Sequence, residues 1–110
     1  MIKVYKDLGD ILLVNLEIKE ASLENGDAFK AEVIKLFDKY KKSIAIDMSS
    51  VEYIDSSFLG SIVSAFKHLI SFKAEVVLVG LSKDINNLFS LTRLDKVFKI
   101  YTTFDEIPKW

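Results

Sequence analysis

Cysteine is absent from the 110 residues. Its absence excludes disulfide frameworks, thiolate metal sites and cysteine nucleophiles together. Histidine occurs once, at His68, so any chemistry that needs an imidazole has one candidate. One proline and four unclustered glycines leave neither a phosphate-cradling glycine loop nor a proline-rich linker. No apolar run approaches the roughly 20 residues needed to cross a bilayer, and Met1-Ile2-Lys3-Val4-Tyr5-Lys6-Asp7 lacks the apolar centre of a signal peptide. Neither sign of charge dominates: 15 Lys and Arg stand against 16 Asp and Glu, for a net charge of −1. Lys39, Lys41 and Lys42 cluster only at a helix end, where cations offset the dipole. Direct nucleic-acid binding and membrane attachment are therefore not expected. A cytoplasmic protein is, with residues 1–110 as a single domain.

What is present reads as strands alternating with helices. Half of the residues are hydrophobic and 28% are charged, an ordinary globular balance. Residues 2–6 read as a short strand and Asp7-Leu8-Gly9-Asp10 as a turn. Residues 11–18 read as a longer strand whose near-continuous apolar start implies burial on both faces. Residues 19–26 are polar and turn-like, with Asn25-Gly26 as a break. Phe29, Val33, Leu36, Phe37 and Tyr40 then recur at helical spacing, which predicts an amphipathic helix over 27–40. A strand at 43–48 follows, then a Ser/Asp-rich loop and a helix over 57–71 with Leu59, Ile62, Val63, Phe66 and Ile70 in its core stripe.

The β-branched stretch 73–80 is the next strand. Ser82 caps a third helix carrying Ile85, Leu88, Phe89 and Leu91, and 97–101 is a last strand. Residues 103–107 form a closing helical turn ended by Pro108, while Tyr101 and Trp110 are candidates to dock on the fold or on a partner. The fold class expected is α/β: one mostly parallel central sheet with an antiparallel N-terminal strand and about four helices.

In such sheets functional groups gather at the carboxyl ends of the strands, here 48–57 and 80–83. His68 lies eleven residues beyond Ser57 on the same predicted helix. At about 1.5 Å rise per residue that is roughly 16 Å, too far for a Ser-His pair. Asp47, Glu52 and Asp55 lack recognisable metal-ligand spacing, so no metal and no cofactor is expected. An enzyme built on Asp47 or Asp55 would need a substrate-sized pocket, and catalysis is not the expectation. What remains is Asp55-Ser56-Ser57 at a helix start, where backbone N–H groups and the positive dipole end collect. Two readings stay open there: a serine that merely caps the helix, and a hydroxyl that accepts a phosphoryl group.

The stretch "IAIDMSSVEYIDSSFLGSIV" resembles the STAS family, in particular the bacterial anti-sigma-factor antagonists, with their apolar strand and Asp-Ser-Ser-Gly-Leu-Gly turn into a helix. Further on, "LSKDINNLFSLTRLDKVFKIYTTFDEI" is similar to the family's third helix, Leu-Asp pair and closing strand and helix. The resemblance implies that Ser57 is phosphorylated by a serine kinase that also serves as the anti-sigma factor. The unphosphorylated chain would bind that kinase and free a sigma factor, and a serine phosphatase would reset the cycle. By the same resemblance Asp55 and Ser56 belong to the recognition surface, and Leu59 and Gly60 fix the turn into the helix. Phe58 replaces the family's usual glycine, as either a partner anchor or a hindrance to the kinase. The family's Gly-x-x-Asp element is replaced by a stretch in which Glu20 or Glu24 stands in for the acidic residue, and Arg93 replaces a common glycine before Leu94. The alternative is a STAS interaction or ligand-sensing module that is not phosphorylated and uses Phe58 and the 48–53 loop as a hydrophobic contact.

Overall fold

A computed structural model describes residues 1–108, so the expectation for Trp110 lies outside the described residues. In chain order the elements are β1 (Ile2–Asp7), β2 (Ile11–Leu16), β3 (Glu20–Ala21), α1 (Leu23–Tyr40), β4 (Ser43–Asp47), β5 (Tyr53–Ile54), α2 (Ser56–Ile70), β6 (Val76–Val79), α3 (Lys83–Leu91) and β7 (Lys99–Tyr101). Single 3-10 turns follow at Leu94–Lys96 and Phe104–Glu106. The main sheet runs β1-β2-β4-β6-β7, with β1 antiparallel to β2 and the other pairs parallel. β2 has a neighbour on each side, and Ile11 through Val14 are all buried, as their unbroken apolar pattern predicts.

Alternate residues of the strands serve two unequal faces. Leu12, Val14, Ile44, Ile46, Val76 and Leu78 share one core with Phe29, Val33 and Phe37 of α1, Ile62 and Leu69 of α2, and Ile85 and Phe89 of α3. All three α-helices therefore cover one face. On the other face Ile11, Leu13, Ala45 and Val77 are covered by Tyr101, Phe104 and Ile107 from the C-terminal segment. The fourth helical segment is thus a single 3-10 turn. Glu106 Oε1 accepts from Thr102 N–H at 2.7 Å and closes it early. Pro108 then holds Ile107 extended, at φ −68° and ψ 125°, where a helix cannot continue.

α1 begins at Leu23, four residues before the predicted start, and Asn25-Gly26 lies inside it. Asn25 is a helix-start residue here: its Oδ1 accepts from Ser22 N–H at 2.8 Å, and its Nδ2 donates to Glu20 O at 2.9 Å. Gly26 is buried where α1 meets α2, and a Cβ there would lie 2.6 Å from Ser61 Oγ. Asn25 bonds near neighbours as a helix-start residue, whereas Gly26 meets its neighbour Ser61 only once the helices pack, so the pair looks like a turn in sequence. Three cationic residues, Lys41, Lys73 and Arg93, take left-handed φ of 55°, 62° and 61° just past the helices. The left-handed conformation explains why a glycine suits position 93 (a side chain there costs on the order of 1 kcal/mol). No helix among the described residues is long and apolar enough to cross a membrane.

Arg93→Gly raises stability by about 0.5–1 kcal/mol, read from the urea midpoint. Lys42 Nζ donates to Asp7 Oδ1 at 2.7 Å and, with Gly9 N–H at 2.9 Å, holds the Asp7 carboxyl below its ordinary value of 3.8. A lowered folded-state value means stability that is present above the unfolded-state value and is lost as pH falls through the folded one. Lys42→Ala should therefore flatten the drop in urea midpoint between about pH 5 and about pH 3.

Candidate functional site

The loops that leave β2 and β4 are zipped together beside the sheet. β3 pairs in parallel with β5, Glu20 opposite Tyr53 and Ala21 opposite Ile54. Glu52 and Tyr53 N–H donate to Lys19 O at 2.8 and 3.1 Å, and Asp55 N–H donates to Ala21 O at 3.0 Å. Two-residue strands carry no periodicity, so the sequence pattern read both segments as loop.

Asp55 is the N-cap of α2, with extended φ −104° and ψ 171°. Its Oδ1 accepts from Phe58 N–H at 2.8 Å and its Oδ2 from Leu23 N–H at 2.9 Å. One carboxylate thus satisfies orphan donors at the N-termini of both α1 and α2. Asp55, expected on the recognition surface, is half-buried with both oxygens bonded to backbone. Neither serine is the cap. Ser56 and Ser57 occupy the first two helical positions and are exposed, which leaves the Ser57 hydroxyl open to solvent at the positive end of α2.

Phe58 departs from both roles considered for it. Its side chain is 0% exposed and lies against Phe29 of α1, ring centroids 4.8 Å apart. In a helix the side chain after an exposed residue points about 100° away around the axis. With Ser57 outward, Phe58 turns in between the helices. The ring is a core group, neither a surface anchor nor an obstruction beside the hydroxyl. Leu59 is buried as well, and Gly60 is an exposed position within α2 where a Cβ would meet nothing within 4 Å. Gly60 is thus not needed to make the turn; on the helix surface one turn past Ser57 it leaves bare backbone.

Glu20, on β3, and Glu24, in the first turn of α1, are both exposed and flank the cap residue Ser22. Between them Leu23 is 72% exposed, and Tyr53 on the paired strand is 55% exposed. Of the apolar residues in the 48–53 loop, Met48 and Val51 are buried, so Tyr53 alone offers apolar surface. Leu23 escaped the sequence reading because a lone exposed leucine carries no pattern. The structure gathers Glu20, Leu23, Glu24, Tyr53, Ser56 and Ser57 around one carboxylate-pinned corner.

His68 is not part of this corner. It sits towards the far end of α2, packed on Phe37 and Phe72, with Nε2 buried and without a hydrogen-bond partner among the described residues. Asp47 Oδ1 accepts from Ser49 N–H at 2.8 Å, and Asp47 lines a cavity of about 460 Å³ that does not include Asp55. No group of three or more His, Cys, Asp or Glu among the described residues is arranged to hold a metal ion.

The STAS domain profile matches residues 4–107. The chain belongs to the STAS domain family. A Thermotoga maritima relative, provisionally named an anti-sigma factor antagonist, is 36% identical over 103 residues, covering 93% of this chain and 90% of its own. A crystal structure of that description from the same organism superposes with a TM-score of 0.81 at 36% identity, covering 93% of this chain and 87% of the other. The anti-sigma-B factor antagonist of Listeria monocytogenes is 34% identical over 100 residues, covering 79% of this chain and 88% of its own. Phosphorylated SpoIIAA from Bacillus shares the STAS fold, with a TM-score of 0.71 at 15% identity over 96% of this chain and 95% of its own. These relatives carry regulatory rather than catalytic names.

Removing the Phe58 ring tests its placement in the core. Phe58→Ala should cost about 3–5 kcal/mol of stability, the usual range for a buried phenylalanine, measured by urea denaturation; a surface anchor would cost under about 0.5 kcal/mol.

Proposed function

We propose that the chain is an anti-sigma factor antagonist controlled by phosphorylation of Ser57. One observation carries the reading: Asp55 does the capping, so the Ser57 hydroxyl is spared structural duty and stands exposed at a helix N-terminus. In the unphosphorylated form Leu23 and Tyr53 supply apolar contact area beside it, and Glu20 and Glu24 favour a partner surface with basic groups. The partner is an anti-sigma factor that is also a serine kinase. Its capture releases the sigma factor, in the cytoplasm where transcription occurs.

The kinase transfers the γ-phosphoryl group of ATP to Ser57 Oγ. The serine proton passes to the kinase's base and ADP leaves. The product carries about −1.5 to −2 extra charge. The helix dipole attracts such a group by up to about 2 kcal/mol. Repulsion from the Asp55 carboxylate opposes it. The two terms have opposite sign and Ser57 is exposed, so the fold is little changed. The partner, arranged around a neutral hydroxyl, meets a dianion it must desolvate, and the complex weakens. A serine phosphatase restores the hydroxyl.

The reading without phosphorylation loses Phe58 as its contact and retains Tyr53. Intact-mass analysis after incubation with Mg-ATP and each anti-sigma serine kinase of the same genome separates the two. One added phosphoryl group on the native chain, absent from Ser57→Ala, is the expected result. Ser57→Asp should bind the same partner at least about tenfold more weakly, some 1.4 kcal/mol. A stable complex with no mass change, and equal affinity for Ser57→Asp, would instead establish a constitutive binding module.

A further inference from the structure

The sheet face turned away from the helices carries a feature that partner switching leaves unused. β1 pairs with β2 through Val4 opposite Val14 and then Lys6 opposite Leu13, so Tyr5 is an extra residue in a bulge. Bulges re-aim side chains. The Tyr5 ring here stacks on Phe104 of the C-terminal segment, centroids 5.6 Å apart and planes at 15°. Tyr5, Phe104, Leu8 and Leu13 line the cavity of about 460 Å³ beside Asp47, a volume within the range of small-molecule sites. It opens at the carboxyl ends of β4 and β6, where open α/β sheets bind ligands.

The polar groups restrict what fits. Asp47 is half-buried, and Ser49 N–H occupies only its Oδ1. Gly80, at φ 73°, lines the same cavity; a Cβ there would lie 3.0 Å from Asp47 Oδ1 and 3.3 Å from Ser49 Cβ, so glycine lets this turn keep its place. Asp105 adds a second carboxylate on the wall, and Lys6, also on the wall, forms no ion pair with either acid. A half-buried carboxylate with an unspent oxygen is matched by a charged N–H donor, and the aromatic and aliphatic walls are matched by a flat apolar body.

We infer that this cavity binds a small organic cation, an amine or amidine on a flat apolar body, with Asp47 as the charge partner. The site is independent of Ser57 and of the function proposed above. The probe is benzamidine, titrated into the isotope-labelled full chain and followed by amide NMR. Saturable shifts at Ser49, Gly80 and Thr103 are expected, with a Kd below about 1 mM. Asp47→Asn keeps an oxygen for Ser49 N–H but removes the charge, and should bind at least about tenfold more weakly. Neutral benzamide on the unaltered chain should lose as much, which keeps the test valid should Asp47→Asn fail to fold. Shifts that never saturate, shifts scattered away from the cavity, or equal binding of benzamide would overturn the assignment. Ser57→Ala should bind benzamidine as the native chain does.

Discussion

The arrangement of the site depends on the Asp55 carboxylate, which accepts from Phe58 N–H at 2.8 Å and Leu23 N–H at 2.9 Å. Two helices that start on different loops each present unpaired N–H groups, and a single anion between them satisfies donors from both. Close packing of the helices reinforces the junction: Gly26 lets α1 approach Ser61, and Phe58 fills the space against Phe29. The exposed residues Leu23, Glu24, Ser56 and Ser57 are carried on backbone that this carboxylate holds. Their relative positions are a property of the pair of helices.

A site built in this way separates folding from signalling. Residues that secure the corner, Asp55, Phe58 and Leu59, face inward or bond backbone, while Ser57 faces outward with no structural task. A charge added to Ser57 therefore acts on whatever docks there more than on the core. Such a division suits a protein whose output is a change of partner: the same fold must persist in both states, and only the free energy of one interface has to move.

The two faces of the sheet are stabilised differently. Three α-helices bury one side in a continuous core, whereas a short C-terminal segment with Tyr101, Phe104 and Ile107 covers the other. The bulge at Tyr5 turns its ring onto Phe104 of that segment. The cavity beside Asp47 lies between this aromatic pair and the carboxyl ends of β4 and β6.

Hydrophobic periodicity in the sequence was enough to determine the order of the five main-sheet strands and the three α-helices, the central place of β2 and the inward stripe of Phe29, Val33 and Phe37, because these depend on neighbours along the chain; the two-residue strands β3 and β5 left no such trace. The "DSSFLG" stretch likewise placed a serine at a helix start. Position along the chain could not say which residue capped that helix, whether Phe58 faced in or out, or that Asn25-Gly26 began a helix. The inward turn of Phe58 and the helical place of Gly26 hang on distant residues, Phe29 and Ser61, and the second oxygen of Asp55 takes Leu23 N–H across 32 residues, while the Asp55 and Asn25 caps themselves are bonds to near neighbours. Local sequence specifies which groups need partners, but only the packed chain brings the distant ones into contact.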